Sequence, residues 1–258
     1  MKVVILAGGL GTRLSEETDL KPKPMVEIGG YPIIWHIMKI YSYYGFNDFI
    51  ICLGYKGNTI KRYFSDLYLQ SSDYTINTKG GKLTVHKDTS PDWDVTMVDT
   101  GSYTLTGGRL LRIKDYLSED TFMMTYGDGV SNVNLIDLLT FHRKHGRAAT
   151  LTAVNPPARF GVIRMKKDGQ ISSFHEKPDD NATWINGGFF VLNKEIFHYI
   201  GKDDPYFEDY PLRDIAKDGE LFAYRHYGFW HPMDTMSDKR RLEELWAKGK
   251  AEWKIWKD

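Results

Sequence analysis

The chain opens on a short apolar, β-branched run, Lys2-Val3-Val4-Ile5-Leu6, the pattern of a strand buried on both faces. Glycines follow at 8, 9 and 11. Pro32 to Tyr44 carries helical periodicity, with proline in the first turn and Gly45 as a stop. Asp48 to Leu53 is a second buried strand, and Asn58 to Asp66 fits a helix with Asn58 at its N-cap. Strand, helix, strand, helix predicts right-handed βαβ units and a parallel sheet.

Residues 67–105 interrupt that rhythm. They are rich in Ser, Thr, Asp and Gly, with short alternating pieces such as Leu83-Thr84-Val85-His86, and read as an excursion holding a small hairpin. The α/β pattern resumes with a helix near Arg109–Leu117 and a strand Thr121–Tyr126 that runs into Gly127-Asp128-Gly129. Asn134 is placed to cap a helix reaching Gly146, and Ala148–Val154 follows as a strand. Further strands are expected at 160–165, 171–176, 186–192 and 221–227. A last helix over about Ser237–Lys248 carries Leu242, Leu245 and Trp246 on one face. The pattern predicts the α/β class: one doubly wound domain over 1–258, more antiparallel in its second half.

Composition narrows the function. At 258 residues, with 41% hydrophobic and 26% charged positions, the chain can bury a substantial core. Lys plus Arg and Asp plus Glu each total 34, so the formal net charge is zero. A balanced charge argues against nucleic acid or an anionic membrane as the main partner. The single cysteine, Cys52, excludes an intrachain disulfide and reads as a core thiol. No apolar stretch approaches the roughly 18–20 residues of a membrane span, and no signal-peptide pattern is seen, so a cytoplasmic location is expected.

The candidate chemistry starts at Leu6-Ala7-Gly8-Gly9-Leu10-Gly11-Thr12-Arg13-Leu14. Glycines after a first buried strand let backbone N–H groups approach an anion, at the strand end where open α/β sheets bind ligands. The loop is not a dinucleotide fingerprint, because Leu14 stands where a third small residue is needed. It is not a P-loop either, since no Lys follows Gly11 at the required place. Arg13 and then Lys21-Pro22-Lys23-Pro24 are present instead. Spacing alone leaves a phosphate site and a plain glycine turn with surface lysines equally open.

That loop together with Lys21-Pro22-Lys23-Pro24-Met25 resembles the signature of the sugar-1-phosphate nucleotidylyltransferases, although Ser15-Glu16-Glu17-Thr18 replaces the usual Pro-Leu-Thr-like spacer. The resemblance implies a Rossmann-like, mostly parallel mixed sheet of the nucleotide-diphospho-sugar transferase type. A nucleotide-binding half would cover about 1–130 and a sugar-phosphate half about 131–258. Three later segments also resemble the family: Tyr126-Gly127-Asp128-Gly129; Phe174-His175-Glu176-Lys177-Pro178 with Asn186-Gly187-Gly188-Phe189; and Phe229 to Thr235.

What the resemblance implies can be stated by residue. Leu6, Ala7, Gly8, Gly9, Gly11, Thr12 and Arg13 would cradle the nucleotide, with Asp128 beside it. Asp128 and Asp234 would hold Mg²⁺, which suits one or two carboxylates completed by substrate oxygens. Lys23 would contact the α-phosphate and the incoming phosphate, and Arg13 the departing phosphates. Lys177 would hold the sugar phosphate, Glu176 would read sugar hydroxyls, and Asn186 and Gly187 would border the sugar. Arg13, Lys23 and Lys177 are thus the expected catalytic residues. Taken singly, Asp128 is also a plain turn residue, Asp234 a cap for the last helix, and Arg109 a surface arginine.

Thr106-Gly107-Gly108-Arg109-Leu110 with Gly228-Phe229-Trp230 resembles cytidylyl-transferring members, and the Gln-Pro-x-Gly-Leu-Ala-like segment of thymidylyl and uridylyl types is missing. CTP and α-D-glucose 1-phosphate are therefore the expected substrates. Gly8, Gly107, Thr104 and Arg109 are candidates to read the cytosine edge. Use of dTTP, UTP or another hexose 1-phosphate is the alternative, and a non-catalytic nucleotide-sugar sensor is the rival from another class. The resemblance also implies a homo-oligomer such as a hexamer, and supply of precursors for a bacterial surface polysaccharide. The tail tryptophans 246, 253 and 256 are expected to pack on their own domain or on a neighbouring subunit.

Overall fold

A computed structural model describes residues 1–9, 21–156, 162–175 and 183–257. The N-terminal run forms β1 (Lys2–Leu6), followed by a small ladder of β2 (Glu27–Ile28) and β3 (Tyr31–Pro32) that leads into α1 (Ile33–Tyr43). Then come β4 (Asp48–Leu53), α2 (Gly57–Gln70), the antiparallel hairpin β5 (Ser72–Ile76) and β6 (Leu83–Asp88), and β7 (Asp94–Asp99). The middle of the chain supplies α3 (Thr106–Ile113), β8 (Thr121–Tyr126), β9 (Gly129–Ser131), α4 (Leu135–His145) and β10 (Ala149–Val154). The remainder holds β11 (Val162–Met165), β12 (Ile171–His175), β13 (Ile185–Asn186), β14 (Phe190–Asn193), α5 (Tyr210–Lys217), β15 (Leu221–His226), β16 (Trp230–Pro232) and α6 (Met236–Ala247).

Strands β8, β1, β4 and β7 lie side by side and all parallel. On the other flank β14 runs antiparallel to both β8 and β10, and β15 returns parallel to β10. The class is therefore the expected one, a mixed and mostly parallel sheet with helices on both faces. Alternation within each strand divides the core. Val3, Ile5, Phe49, Ile51 and Met123 pack with α1, α4 and Trp253, whereas Val4, Ile50, Cys52, Phe122 and Met124 pack with α3 and α5. Burial pushes the Cys52 thiol up to about 12, so it is an inert core group.

Four expectations need correction. Asp94–Asp99 is not part of a polar excursion but the edge strand of the main sheet, with Val95 and Met97 half-buried. Asn58 does not cap α2; the N-cap is Lys56, in the left-handed region at φ 54°, and the helix runs on to Gln70. Helix α3 starts at Thr106 and ends at Ile113, followed by a short 3-10 turn over Lys114–Tyr116. The strand expected at 186–192 is broken by Gly187-Gly188-Phe189. There Gly188 and Phe189 have φ of 76° and 48°, and the register against β10 shifts by two residues.

The tail packs on its own chain. Trp253 is fully buried and Trp256 nearly so, and with Trp246 and Trp35 they surround the buried His36. Among the described residues no helix is long and apolar enough to cross a membrane.

Candidate active site

All four parallel strands end on one edge of the sheet, and the loops beyond Leu6, Leu53, Asp99 and Tyr126 gather there. This is the edge at which open α/β sheets bind ligands. The gathering is held by one side chain. Arg109, on α3 and only 3% exposed, donates through Nη1 to Leu53 O (2.9 Å), Thr100 Oγ1 (2.7 Å) and Gly101 O (2.9 Å), and through Nη2 to Gly8 O (2.8 Å). Burial lowers its pKa from the usual arginine value, with Asp204 and Asp99 acting in the opposite sense. The guanidinium packs so closely on Gly8 that a Cβ there would sit 2.1 Å from Nη1. Only glycine fits that place.

Arg112 adds a second tie, donating to Thr100 O and Thr104 Oγ1. Thr104 is 8% exposed and lines the cleft. Gly107 does not: its N–H donates to Pro205 O at 2.9 Å, and a Cβ on it would meet that oxygen at 2.7 Å. Its glycine is explained by this contact of α3 with the 205 segment.

The loops enclose a cleft of about 1010 Å³, lined by Leu6 to Gly9, Lys23, Thr104, Arg109, Tyr126, Asp128 and Asp234 among others. A second lobe of about 1040 Å³ is lined by Asn186, His226, Trp230, Asp238 and Arg241 among others. The lobes share Tyr126, Asp128 and Asp234.

At that junction Lys23 Nζ donates to Asp128 Oδ2 and to Asp234 Oδ1, both at 2.7 Å. Lys23 belongs to a 3-10 turn that follows Pro22, which sets its extended entry. Asp128 lies in the turn between β8 and β9. Asp234 follows β16, and the antiparallel pairing of β9 with β16, closed by Met233 N donating to Asp128 O at 2.8 Å, brings the two aspartates together. Asp234 is not the cap of α6. Thr235 is, in a capping box with Asp238. Burial opposes the charge on Lys23, but Asp128 and Asp234 outweigh it and raise the pKa, so the ammonium persists at neutral pH. Two carboxylates suit a divalent cation whose other ligands are phosphate oxygens and water, and among the described residues no group of three or more His, Cys, Asp or Glu side chains is arranged to hold a metal by itself.

In the second lobe Asn186 Oδ1 accepts from Gly188 N (2.9 Å), and Nδ2 donates to Tyr126 Oη (3.1 Å). Gly187 donates from its N–H to Thr152 O (2.9 Å), and its carbonyl accepts from Trp230 Nε1 (2.7 Å). The structure thus gathers Leu6, Ala7, Gly8, Gly9, Lys23, Thr104, Arg109, Asp128, Asn186 and Asp234 about one two-lobed cleft; Gly187 does not line it and is tied to it through Trp230. Gly11, Thr12, Arg13, Glu176 and Lys177 lie outside the described residues. Sequence reasoning gave no role to Tyr126, Glu208 or Trp230. Tyr126 and Trp230 stood inside quoted motifs, whereas Glu208 carried no signal.

Residues 2–218 match the model of the family described as nucleotidyl transferase. The chain belongs to that family. It is 54% identical over 99% of its length to the whole of "Glucose-1-phosphate cytidylyltransferase" from Salmonella typhimurium, and 47% identical over the same share to the whole of "Probable glucose-1-phosphate cytidylyltransferase" from Bacillus subtilis. Among solved structures, HddC from Yersinia pseudotuberculosis superimposes with a TM-score of 0.69 over 95% of this chain and 99% of that one, at 22% identity, a likeness of fold. This transferase therefore shares its fold with HddC over nearly the whole of both chains. Nucleotidyltransferases of the family work in general with a divalent metal.

Proposed function

We propose that the cleft joins CTP to α-D-glucose 1-phosphate, giving CDP-glucose and pyrophosphate. The observation that carries this is the Lys23 ammonium between Asp128 and Asp234 at the junction of two lobes, where two phosphate-bearing substrates would meet. Full-length similarity to proteins named for cytidylyl transfer to glucose 1-phosphate supports the choice of substrates.

A phosphate oxygen of the sugar phosphate forms a bond to the α-phosphorus of CTP, and the bond from that phosphorus to the β-bridging oxygen breaks. The attacking group is already anionic, given a phosphate second pKa of about 6, so no general base is needed. Repulsion between the two polyanions is the main obstacle, and alignment is the remaining one. Lys23 answers the first by holding positive charge beside the α-phosphate and the incoming phosphate. The Gly8–Gly9 backbone, braced by Arg109, shapes the nucleotide lobe, and Thr104 borders it. Asn186 borders the sugar. Asp128 and Asp234 would hold Mg²⁺, which supplies charge neutralisation across the phosphates when bound. The family resemblance assigns the departing phosphates to Arg13, sugar hydroxyls to Glu176 and the sugar phosphate to Lys177. It also assigns assembly as a homo-oligomer.

The test is pyrophosphate release from each of CTP, dTTP, UTP and GTP with glucose 1-phosphate. CTP should give the largest kcat/KM. A higher value with another nucleotide would transfer the assignment to that nucleotide.

A further inference from the structure

Tyr126, the last residue of β8, stands where the lobes meet and belongs to a chain of side-chain hydrogen bonds that crosses between them. Its phenol donates to Glu208 Oε1 at 2.6 Å and accepts from Asn186 Nδ2 at 3.1 Å. The other Glu208 oxygen accepts from Thr106 Oγ1 at 2.5 Å, and that hydroxyl oxygen accepts from Phe207 N at 2.8 Å. Thr106 begins α3 and faces the nucleotide lobe, while Asn186 lines the other lobe.

The directions of these bonds are determined. A carboxylate only accepts, so both hydroxyl protons, of Tyr126 and Thr106, point to Glu208. The phenol oxygen is then left as an acceptor, and only an amide N–H can satisfy it. Asn186 therefore turns its nitrogen to Tyr126 and its oxygen to Gly188 N, at 2.9 Å. One N–H of the amide remains for the lobe, where an acceptor such as a hexose hydroxyl suits it.

We propose that Tyr126, Glu208 and Thr106 are positioning residues that fix the amide orientation of Asn186 and thereby set the affinity for the sugar 1-phosphate. They act through Asn186 and are not catalytic. The proposal rests on the CTP and glucose 1-phosphate reading of the cleft.

Steady-state kinetics of the full chain test it. Tyr126→Phe should raise KM for glucose 1-phosphate about tenfold, the scale of one hydrogen bond to a charged group, with kcat and KM for CTP within about twofold. Glu208→Ala should reproduce that split. Glu208→Gln, which keeps an oxygen acceptor, should recover most of it. Tyr199→Phe, which removes a comparable phenol–carboxylate bond (Tyr199 Oη to Asp218, 3.1 Å) outside the cleft, should leave every parameter unchanged. An unchanged KM for glucose 1-phosphate in Tyr126→Phe overturns the proposal. So does an equal rise in both KM values accompanied by a lower unfolding temperature, which would mark a general structural role. If wild-type protein releases no pyrophosphate from CTP and glucose 1-phosphate, the substrate reading fails instead. The same split is then measured on the nucleotide and sugar phosphate that wild type does use, where its absence still overturns the proposal.

Discussion

Arg109 and Lys23 line the same cleft, and the contrast between them separates scaffold from chemistry. Arg109 gives its donors to four protein acceptors and ties together the loops that follow β1, β4 and β7. Lys23 gives its donors to two carboxylates, Asp128 and Asp234, and its side chain is 13% exposed. Arginine suits the first task, because a planar fork reaches several carbonyls at fixed angles. Lysine suits the second, since a point charge on a flexible stem can move from carboxylates to phosphates. Removing Arg109 should cost folding, whereas removing Lys23 should cost turnover.

The largest expected effect is on Lys23→Ala. Its kcat should fall about 10²–10³-fold, the scale of losing one preorganised charge contact in the transition state. Denaturant unfolding should show less than about 1 kcal/mol of change, because the ion pairs are partly exposed. A kcat within about twofold of wild type would break the comparison. Arg109→Lys should do the opposite. A single ammonium cannot span Gly8 O and Gly101 O, and each orphaned buried carbonyl costs about 1–3 kcal/mol, so stability should drop by about 3 kcal/mol. Wild-type unfolding in that variant would remove the bracing role.

The third effect lies away from the cleft. Burial lowers the His36 pKa from its usual value to about 4, and the ring accepts from Trp253 Nε1 at Nδ1 while Nε2 faces Ile28 O at 2.8 Å. A neutral ring in the fold and a chargeable one in the unfolded chain mean that the unfolded state binds more protons between those two pKa values. Stability should therefore fall as pH drops from about 6.5 to about 4, by up to about 3 kcal/mol, and level off below. Urea midpoints across that range for wild type and His36→Gln check this, and a pH slope that survives in His36→Gln would refute it. The smallest effect is on Thr235→Ala. Loss of the α6 cap should cost about 1 kcal/mol and leave Asp234 paired with Lys23, so activity should stay within about twofold.

Much of the fold was legible because apolar runs were bounded by clear stops. β1, α1, β4 and β8 are nearly where periodicity puts them, and Asn134 and Gly146 cap α4 as expected. Asp94–Asp99 escaped because an edge strand alternates half-buried and exposed positions and looks polar. The start of α3 was hidden by Gly107 and Gly108, poor helix formers kept by the close approach of Pro205 and Asp204. In the site, Lys23, Asp128 and Asp234 stood out by family resemblance, and the β9–β16 ladder supplies the physical reason the two aspartates converge. Arg109 lines the cleft, but the backbone carbonyls and the Thr100 hydroxyl that it holds are announced by no local pattern. Tyr126 and Glu208 are 82 positions apart, so their pairing exists only in three dimensions.

The central claim is that phosphate chemistry occurs at the Asp128–Lys23–Asp234 junction. A divalent-cation titration of pyrophosphate release from CTP and glucose 1-phosphate, run for Asp128→Asn and Asp234→Asn beside wild type, tests it most directly. Each variant should lose at least about 10²-fold in kcat or need far more cation, while unfolding at a temperature close to wild type. Wild-type rates with a wild-type cation dependence in either variant would contradict the account.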